Sequence, residues 1–255
     1  MSIHDSNPSG VKKQPKKRPP TPFNLFQFLV ESPALHMIWG DVGTGKSTIA
    51  VQLAKYLVGQ NKKVFYMNTK QNGIEKIFDR VYSPNNYLDL ESLLIWNIDT
   101  LDQQKDTIFQ WNHQLHQLKQ FSKQVQEVGI IIIDEISPLY LTNLSKKDSS
   151  NHQNHDFIFI LATLAEIIRN HQTSILLINR FKLKSGESES SEMRIVPFGG
   201  KILKYWLHTT PSQGLNIQIS RTNQPSKLHY QVMNPNLWRS YSSEWTWSLN
   251  FQGFD

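Results

Sequence analysis

The sequence contains no cysteine. Disulfides, thiolate catalysis and cysteine-based zinc fingers are excluded, and an intracellular setting is the expectation. Long apolar runs are missing as well: none approaches the roughly 18 residues of a membrane-spanning helix. The N-terminus is polar and then basic, so neither a secretory leader nor a membrane partner is expected. Charged side chains make up only 19% of the chain against 38% hydrophobic. With 255 residues, that composition suits one large α/β domain, or two small ones, around a substantial core.

The net charge of +6 is unevenly placed. Five basic residues between Lys12 and Arg18 stand against the single Asp5, so four of the six net positive charges lie in the first 22 positions. "VKKQPKKRPPTP" has prolines and no apolar periodicity, and residues 1–21 read as a disordered basic arm before a domain spanning 22–255. Two readings of the arm stand: a contact for nucleic-acid phosphates or a nuclear address, and a solvated tail. The expected location is the cytoplasm or nucleoid, or the nucleus where the cell has one.

The most informative stretch is "LHMIWGDVGTGKSTIAVQLAKYL". An apolar strand, Leu35 to Trp39, enters Gly40, Asp41, Val42, Gly43, Thr44, Gly45, Lys46, Ser47 and Thr48, and an amphipathic helix follows. This is G-x-x-x-x-G-K-[ST] in a strand–loop–helix setting. Glycines let the backbone curl so that its N–H groups point inward around a phosphate, and the helix N-terminus adds its positive dipole end. Lys46 is expected to reach the β- and γ-phosphates of ATP, and the Ser47 hydroxyl to ligate Mg²⁺.

A second motif, "VGIIIIDEISPL", carries a continuous apolar run from Val128 to Ile133, as expected of a central parallel strand covered on both faces. Asp134 at its end is expected beside the phosphate loop as a Mg²⁺ ligand. Glu135 has two readings, a loop carboxylate facing solvent and the base for an attacking water. Further strands are expected at Lys63–Asn68, Leu93–Ile98 and Ser174–Asn179. Helices are expected near Gly73–Val81, Leu101–Gln126 and Asp156–Asn170, which makes an α/β fold with a mostly parallel sheet flanked by helices. "LNIQISRTNQPSKLHYQV" reads as a C-terminal β-hairpin, and Trp245 and Trp247 beyond it as strand packing. His113 and His116, at i and i+3 without a third ligand, read as a solvated helix face.

The order "IIIIDEISPLY", a helix, "SILLINRF", a polar stretch, "PFGGKILKYW" and a hairpin resembles the ATPase core of the RecA/Rad51 recombinases. In size it is similar to the short archaeal RadB-type paralogues, over roughly residues 22–255. The resemblance implies a Mg·ATP-binding ATPase with Lys46 and Glu135 in catalytic roles. Asn179 and Arg180 would stand near the nucleotide, and Lys204 would reach the ATP of a neighbouring subunit or stand as a solvated helix lysine. It also implies a mobile DNA-facing segment at Phe181–Val196, with a shorter loop around Thr142–Asn154. Within "RFKLKSGESESSEMRIV", Lys182, Lys184 and Arg194 are the candidate contacts to non-specific, single-stranded DNA. Three glutamates leave the segment at only +1, and a disordered crossover is the competing reading.

Two departures from that family bear on catalysis. Its strand after the phosphate-loop helix ends in a pattern similar to Tyr-Ile-Asp-Thr-Glu, whose glutamate activates water. Here the run is Tyr66-Met67-Asn68-Thr69-Lys70. A lysine keeps its proton near neutral pH and cannot replace a carboxylate base; its alternative reading is a positive charge beside the γ-phosphate that tightens ATP binding. Arg180 stands where the family has glutamine. Slow turnover is expected, with Glu135 as the relocated base, as in AAA+ and ABC proteins. The expected role is that of a recombinase paralogue or mediator, with a recombinase or a second copy as partner, since the separate N-terminal domain of full recombinases has no counterpart. The alternatives are a KaiC-like regulatory ATPase acting on a protein partner and a non-hydrolysing, nucleotide-dependent scaffold.

Overall fold

The computed structural model describes residues 22–70, 74–81, 90–121, 127–144, 150–184, 194–197, 200–209, 214–222, 227–233, 244–250 and 253–254. The expected basic arm, residues 1–21, lies outside them.

The first described element is a helix that the apolar pattern did not announce, α1 (Pro22–Glu31). Proline suits a first helical position because its missing N–H has no partner there anyway. Leu25, Phe26 and Leu29 make the buried stripe that holds α1 to the domain. Strand β1 (Leu35–Gly40) leads to α2 (Lys46–Val58), then β2 (Lys63–Asn68) and α3 (Ile74–Val81). A 3₁₀ turn (Leu90–Ser92) precedes β3 (Leu93–Asn97), followed by α4 (Leu101–Phe121), β4 (Val128–Asp134), α5 (Pro138–Leu144) and α6 (Ser150–His171). The chain continues through β5 (Ser174–Lys184), β6 (Arg194–Pro197), α7 (Gly200–Thr209), β7 (Asn216–Arg221), β8 (Lys227–Val232), β9 (Glu244–Asn250) and β10 (Gly253–Phe254).

The strands form one sheet in the order β10-β9-β8-β7-β1-β5-β4-β2-β3, with β6 paired to β5. From β7 to β3 every neighbouring pair is parallel, and from β7 to β10 every pair is antiparallel. The expected α/β class, parallel sheet and C-terminal hairpin are present. Trp245 and Trp247 stand in β9, in register with Tyr230 and Leu228. His113 is exposed and bonds Gln117 at 2.9 Å; no metal-holding cluster of His, Cys, Asp or Glu occurs among the described residues.

The continuous isoleucine run of β4 reflects two buried faces. Ile130 and Ile132 enter the core shared with α1, α2 and α3. Ile131 and Ile133 enter the opposite core, against α4, α6 and α7. Strand residues alternate faces, so a strand covered twice has no polar positions to offer. Among the described residues, no helix is long and apolar enough to cross a membrane.

Two expectations need correction. Phe181–Val196 is not wholly loop: β5 runs on to Lys184 and pairs antiparallel with β6, Phe181 opposite Pro197 and Lys184 opposite Arg194. The alternation in "FKLK" and "RIV" has the period of two that a ribbon requires. Likewise most of Thr142–Asn154 is helical, with Thr142 inside α5 and Asn154 inside α6. The stretches 145–149 and 185–193 lie outside the described residues.

Candidate nucleotide site

Topology gathers the strand ends. β1, β5, β4 and β2 are parallel neighbours, so Gly40, Arg180, Asp134 and Asn68 all arrive at one edge of the sheet. Ligands of open α/β sheets bind at such carboxyl ends. A cleft of about 710 Å³ opens there. Val42, Gly43, Thr44, Gly45, Lys46, Ser47 and Thr48 line it from the loop side, and Lys70, Glu135, Arg180 and Arg221 face them.

The loop between β1 and α2 has the backbone that its glycines permit. Gly45, just before α2, has φ 76°, in the left-handed region where a side chain is strained. A Cβ on Gly40 would meet the Ile219 carbonyl oxygen at 2.1 Å, so only glycine lets β7 come this close. Lys46 is buried, and its Nζ donates to the carbonyls of Gly40 at 3.1 Å and Asp41 at 2.5 Å. Burial, aided by Lys70 and Arg180 and opposed by Glu135 and Asp134, brings its pKa down from 10.5 to about 8. It is a cation at neutral pH, waiting beside the loop that would wrap a phosphate.

On the far side, β2 and β4 are tied together at their ends. Thr69 N donates to the Asp134 carbonyl at 2.8 Å. The Thr69 hydroxyl donates to the Glu135 carbonyl at 2.8 Å and accepts from Glu135 N at 2.9 Å. The Asn68 side chain clamps the next turn: its Oδ1 accepts from Lys70 N at 3.1 Å, and its Nδ2 donates to the Lys70 carbonyl at 3.0 Å. Asn68 is held in turn by Asn97 at 2.8 Å. Lys70 is thereby delivered into the cleft. Its Nζ lies 2.5 Å from Ser47 Oγ, 2.8 Å from Asp134 Oδ1 and 3.5 Å from Glu135 Oε1. Asp134 is fully buried, and its Oδ2 accepts from the Tyr66 hydroxyl at 3.0 Å. Glu135 is also buried and pairs through Oε2 with Arg180 Nε at 2.5 Å.

Most of the residues expected at a nucleotide site therefore converge. Ser47 and Asp134, expected to hold Mg²⁺, do meet, but around the Lys70 ammonium. With the chain's own ammonium hydrogen-bonded to Ser47 and ion-paired with Asp134, the residues present do not fit a divalent ion in that place. Glu135 is not a solvent-facing loop carboxylate; both its oxygens face cations. Asn179 is buried, and its Oδ1 accepts from the Ser137 hydroxyl at 2.5 Å and from Arg180 N at 2.9 Å. It braces the β5 backbone at Arg180 and is not among the residues lining the cleft. Lys204 stands on α7, and its side chain lies outside the described residues. Lys182, Lys184 and Arg194 occupy the β5–β6 ribbon, and their side chains lie outside the described residues.

Three residues escaped the sequence reading. Tyr66 is an apolar-looking strand position whose hydroxyl needs a buried partner, a signal that aromatic residues with polar tips do offer. Thr69 lies within the quoted run, yet its role appears only once β4 is beside β2. Arg221, at the end of β7, donates to the Gly43 carbonyl at 3.3 Å across 178 positions of sequence, and no local pattern announces it.

Comparisons with known proteins agree with this geometry. The chain belongs to the ATPase family associated with various cellular activities (AAA), whose family model matches residues 36–234. It is similar to the DNA repair and recombination protein RadB of Methanobrevibacter smithii, 27% identical, with 82% of this chain and 85% of that protein covered. The RadB proteins of Methanococcus maripaludis (26%, covering 69% of this chain and 74% of the relative) and Methanococcoides burtonii (22%, covering 77% and 78%) are similar too. The resemblance to RecA/Rad51-like paralogues of the RadB type, read from motif order, is thus met by sequence relatives along most of the chain.

Proposed function

From its membership of the AAA ATPase family, we propose that this chain binds ATP in the cleft above the Gly40–Ser47 loop and acts on DNA in recombination or repair, as a RecA-like paralogue or mediator. The observation that carries the reading is the convergence of Lys46, Arg180 and the loop backbone on a single cleft at the strand ends. A triphosphate needs such an arrangement: inward N–H groups, a helix N-terminus and fixed cations. The part played in recombination is supported by the names of the similar archaeal proteins. DNA, single-stranded and read without sequence preference, is assigned to Lys182, Lys184 and Arg194. Their register positions belong to one face of the β5–β6 ribbon, since Lys184 and Arg194 are opposite partners and Lys182 lies two residues from Lys184. A recombinase, or a second copy of the chain reached through Lys204, is the protein partner this reading calls for.

Hydrolysis is slow in this reading. Glu135 is the carboxylate available as base, and it must first leave Arg180 to take a proton from water. ATP turnover with and without single-stranded DNA, in the wild type and in Glu135→Gln, tests both parts. Hydrolysis stimulated by DNA and abolished in Glu135→Gln, with ATP binding retained, is the expected result. Turnover indifferent to DNA would sink the DNA assignment. Turnover unchanged in Glu135→Gln would remove Glu135 from the chemistry.

One observation favours a protein-directed alternative. Phe109 and Phe159, 58% and 45% exposed, flank a shallow cleft between α4 and α6. Exposed aromatic side chains beside a cleft are a place where a protein partner could pack. Turnover that responds to a recombinase and not to DNA would select this reading.

A further inference from the structure

Lys70 is placed as a metal ion would be placed. Its ammonium touches the Ser47 hydroxyl and the Asp134 carboxylate, and Glu135 lies at ion-pair distance. This is not a surface lysine resting on convenient acids. Asn68 fixes its backbone on both sides, and Asn97 fixes Asn68. Its acceptors are held independently: Asp134 by Tyr66 through the other oxygen, Glu135 by Arg180. Asp134 is wholly buried, so it requires a cation, and Lys70 is its ion-pair partner.

The charge count points the same way. Lys46, Lys70 and Arg180 outnumber Asp134 and Glu135 by one, and Arg221 adds a further positive charge to the cleft lining. The cleft is positive before any metal enters. A divalent ion on Ser47 and Asp134 would have to displace the ammonium from both, or stand beside it in a desolvated place where like charges repel strongly. An ammonium has three donors. One is used on the Ser47 hydroxyl; the approaches to Asp134 Oδ1 at 2.8 Å and Glu135 Oε1 at 3.5 Å are ion pairs, and Asp134 Oδ1 takes no hydrogen bond among the described residues. Donor capacity is left for a phosphate oxygen.

We propose, resting on the reading of the cleft as a nucleotide site, that the Lys70 ammonium serves as the built-in counter-ion for the nucleotide phosphates, so that this chain binds ATP without a divalent metal ion. Lys70 bridges Ser47 and Asp134 to the triphosphate, and the site has exchanged a dissociable cation for a covalently tethered one.

The test is calorimetric titration of ATP into the full chain, in EDTA and in Mg²⁺, for the wild type and for Lys70→Gln. Wild-type affinity in EDTA is expected within about threefold of that in Mg²⁺. Lys70→Gln, which frees Ser47 and Asp134, is expected to lose about tenfold or more in EDTA and to recover on addition of Mg²⁺. A wild type that binds ATP only with Mg²⁺ overturns the inference while leaving the nucleotide reading intact. So does a folded Lys70→Gln that binds in EDTA as the wild type does. Absence of ATP binding in both buffers overturns both readings. The wild-type comparison requires no variant, so a Lys70→Gln chain that fails to fold leaves the question decidable.

Discussion

Arg180 Nε stands 2.5 Å from Glu135 Oε2, an ion pair with one partner buried and the other at the rim of the cleft. The contact joins Arg180, within β5, to the residue just past β4, and Arg180 also lines the cleft. Arg180→Ala leaves the buried Glu135 with only the longer contact to Lys70. A cost of about 1–3 kcal/mol is expected, because a buried charge loses its main partner. Thermal unfolding of the two proteins side by side measures it, and an unchanged melting temperature would show that the pair adds nothing to the fold.

ATP affinity should fall with rising pH earlier than an ordinary lysine would allow. Lys46 has its pKa lowered to about 8, chiefly by burial. Below that value it is a cation and attracts phosphate. Above it, binding must also take up a proton, so affinity drops with each further unit. About a tenfold loss is expected between about pH 7.5 and about pH 9.5, tapering as the bound phosphate raises the lysine pKa. Titrations of ATP across that range check it; a flat profile would place the Lys46 pKa well above.

Acid should destabilise the fold through His36. This residue is fully buried in β1, its Nδ1 accepting from Leu215 N at 3.0 Å and its Nε2 at 3.0 Å from the Ser32 carbonyl. Burial lowers its pKa to about 4 from 6.5. The folded-state value is depressed, so between those limits the unfolded chain binds the proton and the native one does not. Stability present above pH 6.5 is therefore lost as pH falls toward 4, by about 3 kcal/mol in all. Denaturant melts of the wild type and His36→Gln over that window should diverge, with the variant showing the shallower dependence.

Replacing Lys182, Lys184 and Arg194 together by glutamine should weaken single-stranded DNA binding at every sequence alike. Three lost phosphate contacts correspond to a salt-dependence slope smaller by about 2. ATP binding in the same variant should be unchanged, because this reading assigns the three to DNA and not to the nucleotide. Fluorescence anisotropy of a labelled oligonucleotide over a salt series gives the slope. An unaltered slope would remove the ribbon as the DNA face.

Legibility followed the range of each signal. Val128–Asp134 was readable because a strand with two dry faces must be apolar throughout, and Gly40–Ser47 because a phosphate loop is local in sequence. The ribbon arms were hidden since "FKLK" and "RIV" are short and flank a Ser- and Glu-rich stretch that reads as loop. Helix α1 was hidden by its first residue, since Pro22 follows the proline-rich arm and looks like its continuation. Arg221 was beyond reach, because its partner Gly43 is joined to it only through the β1–β7 pairing.

The sequence by itself determined the parts of a nucleotide site: the glycine loop, Lys46, Ser47, Asp134 and the presence of a lysine where a carboxylate was to be expected. These follow from side-chain chemistry and from periodicities a few residues long. Only the tertiary structure decided what Lys70 does. Its environment is assembled from the helix after β1 and the ends of β2 and β4, residues 47, 70, 134 and 135, brought within hydrogen-bonding distance by parallel pairing. Electrostatics acts over ångströms and not over sequence separation, so whether a lysine is a stray departure or the cation of the site could be read only after the strands had been laid side by side.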